Sequence, residues 1–195
     1  MVLNLVYPED SHIKYEISKF PDGQQQVSIK TKKTCLKIDE NVEIKSRLNN
    51  FRDLELIVCA VSSLRGLGFK NISLYAPFFL GSRSDRKFGE GSNNYLKDVI
   101  CPIINSLNLS KVTVLDPHSD VLEACLNNFE KKDNLDLVSH VIFNELCPGP
   151  GFVDSNLLEK IVLISPDAGA NKKMFKLAEQ LNFEGEIITC DKSRN

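Results

Sequence analysis

From about residue 51 onward, short apolar runs alternate with longer amphipathic stretches, and that alternation admits few architectures. Arg52 to Arg65 sets Leu54, Ile57, Val58, Val61 and Leu64 at steps of three and four, which predicts a helix with one apolar stripe, stopped by Gly66 and Gly68. Asn71 to Phe79 predicts a buried strand ending near Pro77. A helix is expected from a cap at Ser92 or Asn93 toward Leu107, with Pro102 imposing a kink or a delayed start. Lys111 to Leu115 reads as a strand, Ser119 to Phe129 as a helix and Leu135 to Phe143 as a strand. Further on come a strand at Lys160 to Ile164, a turn at Ser165-Pro166-Asp167, a helix from Ala168 to Leu181 and a last strand at Glu186 to Thr189. Strands alternating with helices predict a largely parallel sheet covered on both faces, because parallel neighbours need a crossover and the helix supplies it. The expected fold class is therefore α/β.

With 195 residues the chain can enclose a genuine core. Cys147-Pro148-Gly149-Pro150-Gly151 interrupts both helix and ladder, which puts an expected domain boundary there, with residues 1–147 as the first domain and 148–195 as the second. Lys and Arg number 24 against 26 Asp and Glu, so no global basic field exists to attract nucleic acid or an anionic membrane. No apolar run reaches a membrane span, and the amino end has neither a basic n-region nor a small-residue cleavage site, so a soluble cytoplasmic protein is expected. Six cysteines stand far apart at 35, 59, 101, 125, 147 and 190, and each reads as a small buried hydrophobe rather than a zinc ligand or half of a disulfide.

In open α/β sheets ligands bind beyond the carboxyl ends of the strands, which directs attention to the polar clusters there. Arg83, Arg86 and Lys87 suit a polyphosphate cradle or simply a solvated loop. Asp116 and His118 are two apart, so if the extended backbone continues both point the same way, a spacing usable for Mg²⁺ or its water shell; the alternative is a histidine at the start of the next helix. Asp167 stands where a strand meets a helix, with Gly169 allowing backbone amides to approach an anion, or else it is a plain helix cap. Lys192 and Arg194 read alone as a solubilising tail. Phe20-Pro21-Asp22-Gly23-Gln24 precedes an expected strand from Gln26 to Lys30, as a hairpin tip or as an exposed ring able to stack on a nucleobase.

Taken in order, FPDGQ, PFFLGSRSDRK, VTVLDPH, VLISPDAGANKK and CDKSR resemble the ribose-phosphate pyrophosphokinases, over about residues 20 to 194. The resemblance implies a phosphoribosyltransferase-like α/β domain with a mostly parallel sheet, followed by the first part of a second similar domain. It also implies transfer of a diphosphoryl group from Mg-ATP to the anomeric hydroxyl of ribose 5-phosphate, releasing AMP. On this basis Phe20, Asp22, Gly23 and Gln24 meet adenine, in a homo-oligomer whose ATP site is shared between subunits. Arg83 binds ATP phosphate with Ser84 and Asp85 beside it, His118 and Asp167 hold Mg²⁺ with its waters, and Asp116 orients His118. Lys192 and Arg194 form the mobile catalytic pair.

Gln24 stands where the family has Glu, Ser84 where it has Gln, Ala170 in place of a second glycine and Ser193 in place of an arginine. The acidic, Thr-rich loop that takes ribose 5-phosphate in the family is absent from these 195 residues. Two expectations follow: the sequence is a piece of a longer enzyme, or it is a protein that does not bind the usual acceptor in the usual way. The competing functions are a non-catalytic regulatory or scaffold homologue, and a pyrophosphokinase acting on another ribose acceptor such as ADP-ribose.

Overall fold

A computed structural model describes residues 1–33, 38–142 and 161–191, apart from the side chain of Lys33. The chain divides into two compact units, Met1–Lys132 and Asp133–Asn195. In the first, β1 (Val2–Asn4), β4 (Val42–Lys45), β5 (Ile72–Ala76), β6 (Lys111–Leu115) and β7 (Phe129–Lys132) form a five-stranded sheet in that order, and each neighbouring pair is parallel. An antiparallel hairpin of β2 (Tyr15–Lys19) and β3 (Gln25–Ile29) is inserted between β1 and β4.

The helices follow from the same sequence signals. Helix α1 (Phe51–Gly66) is capped by Asn50, whose side chain accepts from the N–H groups of Arg52 and Asp53, and it buries Leu54, Ile57, Ala60, Val61 and Leu64. The stretch after β5 begins with a π-helical turn, Leu96–Ile100, and continues as α2 (Cys101–Ser106); Pro102, which has no N–H to give the ladder, stands at the junction of the two. Helix α3 (Val121–Cys125) is only five residues long.

From β4 to β7 the chain always steps the same way across the sheet, so right-handed crossovers put α1, α2 and α3 on one face, not on both as the alternation of elements predicts. That face carries Leu3, Ile44, Leu74, Val112 and Val114 into a continuous core with the helical residues. The register sends Glu43, Lys45, Tyr75, Thr113, Glu130 and Lys132 to the opposite face. There Lys111 pairs with Glu130 at 2.8 Å, and Lys45 and Lys132 each lie 6.0 Å from the Tyr75 ring.

Several sequence expectations need correction. The predicted helix Ser119–Phe129 stops at Cys125, and Phe129 opens β7, an edge strand whose charged FEKK sequence hides it from an apolar-run criterion. The predicted strand Leu135–Phe143 is instead α4 (Leu135–Val141), with Phe143 outside the described residues. Leu135, Val138 and Ile142 pack against one cluster at helical spacing, while Leu137 and Val141 face outward. The second unit also holds parallel strands β8 (Leu163–Ser165) and β9 (Ile187–Thr189) and helix α5 (Asn171–Gln180), packed around Leu163, Leu177, Leu181 and Phe183. The proline–glycine segment 147–151 lies outside the described residues.

The cysteines also differ among themselves. Cys101 is buried, Cys59 and Cys125 are half-buried, and Cys190 is exposed, contrary to expectation; Cys35 and Cys147 lie outside the described residues. Burial, aided by the neighbouring Cys125 thiol, pushes the Cys101 thiol from 9.0 up to about 12. Because the folded value exceeds the unfolded one, this thiol's contribution to stability is complete below pH 9.0 and fades as pH rises toward about 12. Unfolding measured across that window is expected to show a loss of stability that Cys101→Ala reduces, the raised Cys59 and Tyr15 groups contributing the rest, and a thiol reagent is expected to modify Cys190 well before Cys101.

Candidate functional site

The carboxyl ends of β5 and β6 carry two of the sequence-predicted clusters. Beyond β5 the chain turns at Gly81, whose φ of 77° and close approach to Tyr95, 2.9 Å from where a Cβ would stand, both require glycine. The Ser84 N–H then donates to Gly81 O at 2.8 Å, and the Leu96 N–H donates to Ser84 O at 3.1 Å. Asn94 Nδ2 donates to Asp85 O at 2.7 Å. These bonds fix residues 81–85, while the Arg83, Arg86 and Lys87 side chains remain exposed, as a loop receiving an anion requires. Arg86 lies 5.7 Å from the Phe88 ring rather than on a carboxylate.

Beyond β6, Asp116 takes φ 45° and its N–H donates to Lys132 O at 2.6 Å. The extended backbone therefore ends at residue 116, and the same-side argument for Asp116 and His118 loses its premise. Another carboxylate meets the histidine: Asp85 Oδ2 lies 3.9 Å from His118 Nδ1 and accepts a 2.7 Å hydrogen bond from Ser119 Oγ. The two strand-end loops are thus joined through Asp85. Ser119 and Asn94 are not singled out by the sequence, where Ser119 opens an expected helix and Asn94 falls within the helix expected from Ser92 or Asn93 toward Leu107.

The adenine candidates sit on the β2–β3 hairpin. Its tip is closed by Phe20 N–H to Gln24 O at 2.9 Å and Gln24 N–H to Asp22 Oδ1 at 3.0 Å, with Gly23 at φ 96°. The Phe20 ring is 47% exposed, so it is free to meet a flat ligand. Gln25 docks the hairpin on α1 by donating its N–H and its side-chain amide to the Glu55 carboxylate, each at 3.0 Å. Those bonds hold the Glu55 carboxyl below its ordinary range. A cavity of about 410 Å³ between hairpin and helix is lined by Phe20, Gln24, Val58, Cys59 and Ser62.

In the second unit Asp167 follows β8 and caps the next turn: its Oδ1 accepts from the Ala170 N–H at 3.1 Å. Buried Ser165 braces it by donating Oγ–H to Asp167 O at 2.9 Å. The Cys190 N–H donates to Ser165 O at 2.9 Å, so β9 ends alongside the start of this turn. Lys192 and Arg194 lie outside the described residues.

Magnesium takes one or two protein donors and fills its remaining positions with water and phosphate oxygens. Asp116 and His118 follow β6 in the first unit, and Asp167 follows β8 in the second. Among the described residues no group of three or more His, Cys, Asp or Glu is gathered as a complete metal cage. No helix among them is long and apolar enough to cross a membrane.

The fold is mixed α/β, with a parallel five-stranded sheet in the first unit. The crystal structure of phosphoribosylpyrophosphate synthetase from Mycobacterium smegmatis matches it with a TM-score of 0.73 at 15% identity, over 94% of this chain and 57% of that one. In sequence the chain is similar to ribose-phosphate pyrophosphokinases. That of Saccharolobus solfataricus is 23% identical over 184 residues, 93% of this chain and 58% of the enzyme. The Fusobacterium nucleatum protein is 27% identical over 183 residues, 93% of this chain and 53% of its own length. The chain thus spans little more than half the length of the curated relatives it matches. No protein-family model matches it.

Proposed function

We propose that this chain provides the nucleotide-handling part of a ribose-phosphate pyrophosphokinase, which transfers a diphosphoryl group from Mg-ATP to the anomeric hydroxyl of ribose 5-phosphate and releases AMP. The observation that carries this reading is the union of the Arg83 loop and the Asp116–His118 turn at the carboxyl ends of adjacent parallel strands. Similarity to pyrophosphokinases over nearly the whole chain supports it independently.

Attack on the β-phosphorus gathers negative charge on the bridging and equatorial oxygens, so catalysis is alignment and charge neutralisation. Arg83 offers a guanidinium fork to ATP phosphate on a loop already fixed by its backbone bonds. In the first unit His118, with Asp116 beside it, would offer Mg²⁺ its protein ligands, and in the second unit Asp167 would be the candidate ligand; a bound ion would neutralise phosphate charge. Lys192 and Arg194 would stabilise the charge that develops on transfer. Phe20, Asp22, Gly23 and Gln24 would receive adenine, and the exposed hairpin tip suits an ATP held by a neighbouring subunit of a homo-oligomer.

The full natural chain, given Mg-ATP and ribose 5-phosphate, is expected to release AMP in step with phosphoribosyl pyrophosphate, read by chromatography. Arg83→Ala is expected to weaken ATP binding by about tenfold or more, as loss of a charge-assisted phosphate contact implies. ATP binding without AMP release, whether from ribose 5-phosphate or ADP-ribose, would replace this proposal with a regulatory role.

A further inference from the structure

We infer that Asp85 is a positioning residue for His118, holding the ring with its proton on Nδ1 and presenting Nε2 outward as the acceptor. The inference deepens the proposed function, because it rests on His118 belonging to the metal–triphosphate site.

The Asp85 side chain is 15% exposed, whereas that of His118 is 52% exposed, so a sheltered carboxylate sits behind an accessible ring. The carboxylate is held in place independently of the histidine: Ser119 Oγ–H donates to Oδ2 at 2.7 Å, and Asn94 Nδ2 clamps the Asp85 backbone carbonyl at 2.7 Å. Ser119 adjoins His118 in the chain, so one carboxylate constrains two consecutive residues. Among the described residues, His118 Nδ1 is the ionisable nitrogen within ion-pair reach of Asp85, at 3.9 Å, despite the arginines three residues apart at 83 and 86.

That distance exceeds a hydrogen bond but lies within ion-pair reach, so the carboxylate acts on the facing nitrogen electrostatically and favours a proton there. A carboxylate aimed at a triphosphate would repel it; turned onto Ser119 and His118, Asp85 acts through the histidine instead. A carboxylate on one imidazole nitrogen fixes the tautomer and makes the other nitrogen a better ligand to a metal or a better acceptor from its water, commonly changing affinity by about 10- to 100-fold.

The test is ¹⁵N–¹H correlation spectroscopy of the imidazole nitrogens in the ligand-free full chain, in mildly alkaline buffer. The chain has three histidines, so His118→Gln assigns the signal. Wild type is expected to carry the His118 proton on Nδ1, and Asp85→Asn is expected to shift the population toward Nε2. An Nε2–H tautomer in wild type overturns the inference, as does an unchanged tautomer in a folded Asp85→Asn protein. Should Asp85→Asn not fold, the wild-type tautomer and a Ser119→Ala variant decide, the latter expected to loosen but keep the Nδ1 preference; its complete retention of wild-type ring order would count against the shared anchor. In a second arm, Asp85→Asn is expected to weaken Mg²⁺-dependent ATP binding about tenfold. Wild type with the Nδ1 tautomer but no Mg-ATP binding would leave the positioning geometry standing and remove the proposed function instead.

Discussion

Replacing Lys192 by alanine in the full natural chain is expected to slow AMP release from Mg-ATP and ribose 5-phosphate by about two to three orders of magnitude. The reacting phosphorus exchanges one oxygen partner for another, with no covalent work for the protein, so the barrier falls chiefly through groups that meet charge absent from the ground state. A lysine used in this way contributes to kcat far more than to KM. Steady-state kinetics should therefore show kcat collapsing while the KM for ATP moves by no more than a few fold, with Lys192→Arg keeping part of the rate. A loss below about tenfold would remove Lys192 from the chemistry and leave it a solubilising residue.

The other large effect concerns the fold of the first unit. Leu74→Ala is expected to destabilise it by about 3 kcal/mol, read as a lower urea midpoint with an unchanged slope. Leu74 is 1% exposed on the central strand, between Ile44 and Val112 on the neighbouring strands. The surrounding strands and helices are tied into one core and cannot collapse onto the space a leucine leaves, so the lost transfer energy and the cavity add. A cost below about 1 kcal/mol would mean that this sheet face is not packed as described.

Legibility varied with how much of an element's identity is local. Helix α1 is readable because its apolar stripe and terminal glycines act within a few residues, whereas the Asn50 cap emerges only from the structure. Strands β5 and β6 were readable as apolar runs between turn-prone residues. β1, with three residues, carries too little pattern to register, and β2 and β4 went unassigned; β7 is held by pairing with β6 despite a charged sequence. α4 was misread because a run of apolar residues is ambiguous until its partners fix the period. At the candidate site, the residue types and their strand-end positions were legible for Arg83, His118 and Asp167. The partner of His118 was not, since Asp85 and His118 lie 33 positions apart and meet only because β5 and β6 are neighbours.

The amino-acid order alone determined the α/β class, the strand-end location of the polar clusters and the likeness to pyrophosphokinases, because these depend on local periodicity and on motif succession. Tertiary structure decided which carboxylate faces His118, that Asp116 leaves the extended conformation, and that one sheet face is apolar while the other is charged. Those features depend on strand order and register, which are set by the summed burial of many distant residues and so cannot be read from any single segment.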